Sequence, residues 1–137
     1  MALAFIFPGQ GSQAVGMGGE LAEAFASARE VFQEVDDALG QKLSALMKEG
    51  PEADLTLTEN AQPAIMANAI AVLRVLEKEG GITLAQKADF VAGHSLGEYT
   101  ALCAAGALDL STTARLLKLR GQAMQAATPV EIGRAHV

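Results

Sequence analysis

The order of apolar runs and helical patterns along the chain predicts an α/β protein. A short apolar run from Leu3 to Phe7 predicts a buried strand that leads into the glycine-rich loop Gly9 to Gln13. A second apolar run, residues 90–92, predicts another strand that leads into the tight turn 93–97. Because strands alternate with helical segments, the pattern favours a parallel sheet.

Between and after these strands, apolar residues spaced by three and four predict helices. The first covers about Glu20 to Leu39, as one amphipathic helix or as a broken pair. The next covers about Ala61 to Lys78, with residues 58–60 offering capping side chains and Pro63 tolerated in the first turn. Ser111 is expected to cap the last helix.

Composition restricts the classes of protein that are possible. The chain has 137 residues, of which 50% are hydrophobic and 19% charged, which predicts one soluble globular domain without a membrane span. The formal net charge of -6 argues against a nucleic-acid partner. The start of the chain lacks the basic region of a signal peptide, so we expect a cytoplasmic protein. The single Cys103 forms no internal disulfide, and no metal or cofactor is expected.

The turn at residues 93–97, Gly-His-Ser-Leu-Gly, fits the nucleophile-elbow pattern G-x-S-x-G between a strand and a helix. Its glycines allow a strained turn that presents the Ser95 hydroxyl at the start of a helix. A purely structural Gly-Ser turn is the alternative. His94 is adjacent in sequence, should point away from that hydroxyl and is expected to pack beneath the turn, while His136 lies in the tail. The sequence therefore predicts a nucleophile without its base.

The first loop and a basic group near the end of the chain are the other candidates for chemistry. Backbone N–H groups of the loop Gly9 to Gln13 could form half of an oxyanion hole, with the N–H of Leu96 as the other half. A phosphate-binding loop is discounted, because the Lys and Ser/Thr of a Walker motif are absent. Arg115, Lys118 and Arg120 form either an anion site or a solvated helix face.

Three blocks in this order carry a resemblance to a known family. They are FPGQGSQ at 7–13, GHSLGEY at 93–99 and LRGQAMQ at 119–125, and the segment TENAQPAIMANAIAVLRVLEKEGG between them is also similar. The chain resembles, over about residues 3–129, the malonyl-CoA:acyl-carrier-protein transacylases of fatty-acid synthesis, whose blocks the acyltransferase domains of polyketide synthases share. The resemblance implies the N-terminal part of a hydrolase-like parallel-sheet subdomain, with a small ferredoxin-like subdomain missing.

The resemblance also implies roles for individual residues. Ser95 would take the malonyl group from malonyl-CoA and pass it to the phosphopantetheine thiol of acyl carrier protein. The backbone amides of Gln10 and Leu96 would hold the oxyanion, and Arg120 would pair with the free carboxylate of malonate. The family's base is a histidine in a downstream segment that this chain does not contain, so the chain alone is expected to be inactive.

The resemblance ends near Pro129. Residues 132–137 are what a common sequencing adapter would encode if it were read through as protein, so we expect residues 130–137 to be foreign to a partial domain at 1–129. A partial sheet would leave an apolar face uncovered, which predicts a poorly soluble or loosely packed monomer. Two other functions stay open: a serine esterase or thioesterase, and a non-catalytic scaffold domain.

Overall fold

A computed structural model describes residues 1–128 of the chain. In chain order the elements are β1 (Ala4–Phe7), α1 (Gly19–Ala24), α2 (Ala26–Leu39), α3 (Leu43–Glu49), α4 (Glu52–Thr56), α5 (Thr58–Gly80), α6 (Leu84–Lys87), β2 (Phe90–Gly93), α7 (Leu96–Ala104) and α8 (Leu110–Ala127). Within this range no helix is both long and apolar enough to span a membrane. The predicted tail, residues 130–137, lies outside the described residues.

The two strands form a parallel sheet, and both predicted strands are confirmed. The register runs from Ala4 opposite Phe90 to Phe7 opposite Gly93. The α/β class and the parallel pairing are therefore as predicted. Because both strands end at the same level, the loops that follow them leave from the same edge of the sheet.

Helix α5 lies at the centre of the core and contacts α2, α7 and α8. Most of its residues between positions 60 and 71 are buried, among them Ala64, Ala67 and Ile70, which are fully buried. A helix that is apolar on most sides is typical of a buried central element. Because this part of the helix is buried, its polar residues, described below, have little access to solvent.

The helices follow the predicted pattern with corrections at their ends. The segment 20–39 is a broken pair, because Phe25 adopts an extended conformation between α1 and α2. Helix α5 begins at Thr58, so the prediction that residues 58–60 precede and cap it was wrong. The Thr58 hydroxyl instead accepts a hydrogen bond from a distant loop. Pro63 is consequently the sixth residue of the helix and lies in its second turn.

The predicted cap of the last helix was also wrong. Asp109 is the N-cap of α8, and its carboxylate accepts a hydrogen bond of 2.7 Å from the backbone N–H of Thr112. This bond lowers the pKa of the Asp109 carboxyl. Ser111 lies inside the helix, where its hydroxyl donates to Glu34 at 2.9 Å. Helices α4 and α6, which have five and four residues, were not predicted.

One face of the sheet carries apolar side chains that no other described residue covers. Ile6 is 76% exposed and Phe90 is 64% exposed, and both lie on the same face as Ala4 and Ala92. On the opposite face Phe7 is 6% exposed. The expected uncovered apolar face is therefore present in the described part of the chain, on one side of the sheet only.

Replacement of the exposed pair should improve solubility at little cost in stability. We expect Ile6→Thr with Phe90→Thr to lower light scattering of the purified chain and its binding of a hydrophobic dye. The free energy of unfolding should change by less than about 1 kcal/mol, because threonine favours strands and neither side chain is packed.

Phe7→Thr on the covered face is the matched control, and it should cost roughly 3 kcal/mol. A double variant that loses as much stability as this control in denaturant unfolding would show that the face is packed in solution.

Candidate functional site

Ser95 lies in a strained turn between β2 and α7. Its backbone has φ 55° and ψ -112°, and it is the one residue other than glycine with a positive φ among residues 1–128. Such a conformation costs of order 1–3 kcal/mol and is concentrated at functional sites. The side chain is exposed at the N-terminus of α7, as expected for a nucleophile elbow.

Two glycines make this turn possible, because backbone atoms occupy the space that a side chain would need at either position. A Cβ atom on Gly93 would overlap the carbonyl group of Gly97. A Cβ atom on Gly97 would in turn overlap the carbonyl oxygen of Phe7, at the end of β1. The elbow is therefore packed backbone to backbone, both within itself and against the neighbouring strand.

The loop after β1 packs directly against the elbow. A Cβ atom on Gly9 would lie 2.7 Å from His94 Nδ1 and 2.9 Å from the His94 carbonyl oxygen. The backbone N–H of His94 also donates to the Phe7 carbonyl at 3.3 Å. The imidazole therefore lies against the first loop, although His94 is exposed and not packed beneath the turn as expected.

Gln10 and Leu96, the predicted oxyanion donors, belong to these two adjoining segments. The Gln10 side chain donates from Nε2 to Thr58 Oγ1 at 3.1 Å, which ties the first loop to the start of α5. Leu96 is the first residue of α7, a position whose N–H has no acceptor inside a helix. Both backbone amides thus belong to segments that leave the same edge of the sheet, next to Ser95.

Arg120, which lies 25 positions after Ser95, reaches the elbow from α8. Its Nη2 donates to Ser95 Oγ at 3.1 Å, and its Nη1 donates to Gln62 Oε1 at 2.8 Å. The guanidinium carbon also lies 5.4 Å from the centroid of the Tyr99 ring, within the range of a cation–π contact. The arrangement presents a fixed cation at the serine hydroxyl.

The other two members of the basic group do not join this arrangement. Lys118 Nζ lies 3.3 Å from a carboxylate oxygen of Glu59 and 3.0 Å from Asn60 Oδ1. Arg115 is exposed on the surface of α8. Of the predicted basic group, Arg120 is therefore the member that contacts Ser95.

Gly121 explains how α8 comes close enough for this contact. A Cβ atom at this position would lie 2.6 Å from Glu59 Cα and 2.7 Å from the Thr58 carbonyl oxygen. The backbones of α5 and α8 therefore touch at the residue that follows Arg120.

Gln62 and Tyr99 are the site residues that sequence reasoning missed. Gln62 is 1% exposed, although the apolar stripe of α5 predicts a hydrophobic residue in the helix interior. A glutamine next to Pro63 inside such a stripe was the available signal. Tyr99 is the only tyrosine in the chain and follows the elbow by one helical turn.

Cys103 does not take part in this site. It is buried on α7, and burial raises the pKa of its thiol. The thiol is thus protonated at neutral pH and is a poor nucleophile.

Comparison with known proteins adds a family context to this geometry. A family model described as "Acyl transferase domain" matches residues 4–137. The chain is similar to the malonyl CoA-acyl carrier protein transacylase of Bacillus subtilis strain 168, with 51% identity over 131 residues. That match covers 96% of this chain and 40% of the relative.

Solved structures are similar over the same extent. The acyl-carrier-protein-S-malonyltransferase of Bartonella henselae superposes with a TM-score of 0.91 at 61% identity, covering 94% of this chain and 41% of the other. A malonyl-transacylase in complex with its type II polyketide-synthase acyl-carrier protein gives 0.86 at 45% identity, covering 94% of this chain and 40% of the other. The chain spans about two-fifths of the length of the proteins it matches.

An alanine at position 121 should separate α5 from α8. In an ordinary helix, Gly→Ala stabilises by roughly 1 kcal/mol. We expect Gly121→Ala instead to destabilise the chain by about 1–3 kcal/mol, because the new methyl group meets backbone that cannot rotate away.

Gly80→Ala is the matched control, since Gly80 is also helical and a Cβ atom there would meet nothing within 4 Å. Unfolding in denaturant measures both variants, and equal stability of the two would contradict the close contact.

Proposed function

The chain belongs to the acyl transferase domain family, and on that premise we propose that it carries the nucleophilic half of a malonyl transferase site. In this proposal the malonyl group moves from malonyl-CoA to the phosphopantetheine thiol of acyl carrier protein, in the cytoplasm. The observation that carries it is the 3.1 Å contact between Arg120 Nη2 and Ser95 Oγ. It puts a permanent positive charge where an acyl group bound to the serine would extend.

The first half-reaction makes a seryl ester. Ser95 Oγ attacks the thioester carbonyl carbon, its proton passes to a base, and the carbonyl oxygen becomes an oxyanion. The backbone N–H groups of Gln10 and Leu96 stabilise that charge, aided by the N-terminus of α7. Collapse of the tetrahedral intermediate breaks the carbon–sulfur bond, and the CoA thiolate leaves with the proton.

The second half-reaction repeats these steps with a different nucleophile. The phosphopantetheine thiol loses its proton to the base and attacks the ester carbonyl, and the same amides stabilise the second oxyanion. The carbon–oxygen bond then breaks and Ser95 recovers its proton. Because one site serves both steps, the proposal implies ping-pong kinetics.

The charge at the serine favours a malonyl group over an uncharged acyl group. The free carboxylate of malonate lies two carbon atoms beyond the ester carbonyl, within reach of a guanidinium that already contacts Oγ. Arginine suits this task, because its planar donors match both carboxylate oxygens. The names of the similar proteins, which are malonyl transferases, agree with this choice.

A serine esterase or thioesterase is the second candidate. It would share the elbow and the oxyanion donors but would release the acid to water. Such an enzyme has no need of a fixed cation beside its nucleophile, so the Arg120 contact argues for the transferase. A non-catalytic scaffold would need neither the strained Ser95 nor the arginine.

No base contacts Ser95 Oγ among residues 1–128. His94 packs against Gly9, and Ser95 Oγ contacts Arg120 instead. We propose that a histidine in a longer chain supplies this function, and that the 137-residue chain by itself has little or no transferase activity.

A chimera tests the proposal. It joins residues 1–128 to the part of the Bacillus subtilis relative that follows the residue aligned with position 128. We expect transfer of malonyl from malonyl-CoA to acyl carrier protein. Ser95→Ala should lower the rate at least about 1,000-fold, because the nucleophile is lost. Arg120→Ala should lower kcat/KM for malonyl-CoA by roughly 10- to 100-fold while sparing acetyl-CoA, because one charged contact is lost.

Lys118→Ala is the control, because it removes a charge from the same helix that is already paired with Glu59. It should leave transfer unchanged. Release of free malonate without transfer would favour the hydrolase, and full activity of the Ser95→Ala chimera would favour the scaffold.

A further inference from the structure

Gln62 is a buried amide directed at the guanidinium of Arg120. It lies on α5 with 1% of its surface exposed. Its Oε1 accepts from Arg120 Nη1 at 2.8 Å, and its Nε2 contacts Met124 Sδ at 3.3 Å. It is unusual for a buried amide in a helix interior to accept a hydrogen bond from a charged donor through its carbonyl oxygen.

We propose that Gln62 is a positioning residue that selects for an acyl group with a free carboxylate, by fixing Arg120 without neutralising it. This inference rests on the proposed function and concerns the specificity of that same site.

The guanidinium of Arg120 has three contacts among the described residues. Its contacts are with Ser95 Oγ, Gln62 Oε1 and the face of Tyr99. When Ser95 becomes an ester, its oxygen is a poorer acceptor and has no proton to exchange. The Gln62 bond is then the remaining directional hydrogen bond that keeps Arg120 oriented toward the acyl group.

Gln62 is neutral and therefore leaves the positive charge of Arg120 uncompensated. A carboxylate at position 62 would pair with Arg120, occupy its donors and cancel its charge at the site. The amide oxygen accepts one hydrogen bond and leaves the positive charge available to the substrate. A neutral acceptor thus reduces the freedom that a long side chain loses on binding, while the attraction for a carboxylate remains.

The position of Gln62 is fixed by its surroundings in the core. Gln62 is in the second turn of the central helix, between the fully buried Ala61 and the buried Pro63. The backbone contact at Gly121 fixes the distance between this part of α5 and the turn of α8 that carries Arg120. The amide therefore cannot follow the arginine if the arginine rotates away.

The test uses the chimera described above and compares malonyl-CoA with acetyl-CoA. Gln62→Glu should raise KM for malonyl-CoA by about 10- to 100-fold and change KM for acetyl-CoA by less than about 3-fold, because an internal anion competes only with the substrate carboxylate. Gln62→Met, of similar length and without the acceptor, should raise KM for malonyl-CoA by about 10-fold through loss of one charge-assisted bond.

Gln125→Met is the matched control. Gln125 lies in the same interface and contacts the backbone N–H of Glu59 at 3.4 Å, with no bond to Arg120. Its substitution should leave the ratio of the two KM values unchanged, and thermal unfolding of all three variants checks that they fold alike.

The possible outcomes separate the two proposals. An unsubstituted chimera without malonyl transfer would overturn the proposed function and this inference with it. An active chimera whose malonyl-to-acetyl ratio is unchanged in Gln62→Met would overturn the role of Gln62 alone, even where Gln62→Glu does not fold. Equal losses with both substrates would show that Gln62 is a packing residue.

Discussion

The candidate site depends on the position of the start of α5. This part of the helix lies against both the loop after β1 and helix α8. Within residues 58–62, Thr58 accepts from Gln10 and Gln62 accepts from Arg120. The absence of a side chain at Gly121 lets the backbones of α5 and α8 touch at the same place. Since the elbow packs its own backbone on the end of β1, Ser95 is positioned through main chain, while Gln10 and Arg120 are held by side-chain hydrogen bonds to α5.

The parts of this arrangement that could be predicted from the sequence are the local ones. A serine between two glycines, after an apolar run and before a helix, determines a strained elbow from five consecutive residues, and Ser95 adopts it. The strands and the parallel sheet follow from similarly short patterns. The contact between Ser95 and Arg120 could not be predicted from a local pattern, because the blocks that contain the two residues were connected only by resemblance to a family.

The errors also have physical causes. At the starts of α5 and α8, tertiary contacts engage the polar side chains that were expected to cap, and α5 has no side-chain cap. Thr58 is engaged by Gln10, and Ser111 by Glu34, while Asp109 offers the stronger, charged acceptor to α8. Gln62 was missed because its partner lies 58 positions away, and no local pattern records that separation.

The exposed apolar face and the candidate site are separate features of the described residues. The described residues place Ser95 at the carboxyl edge of the sheet in contact with Arg120, whereas none of them covers the face with Ile6 and Phe90. Matched relatives are about two and a half times as long as the aligned segment. Glycines and helix contacts within the described residues account for the packing around Ser95 and Arg120. The geometry of the candidate site therefore arises from interactions inside this segment. The uncovered sheet face affects the solubility of the chain and does not affect the geometry of the serine and its arginine.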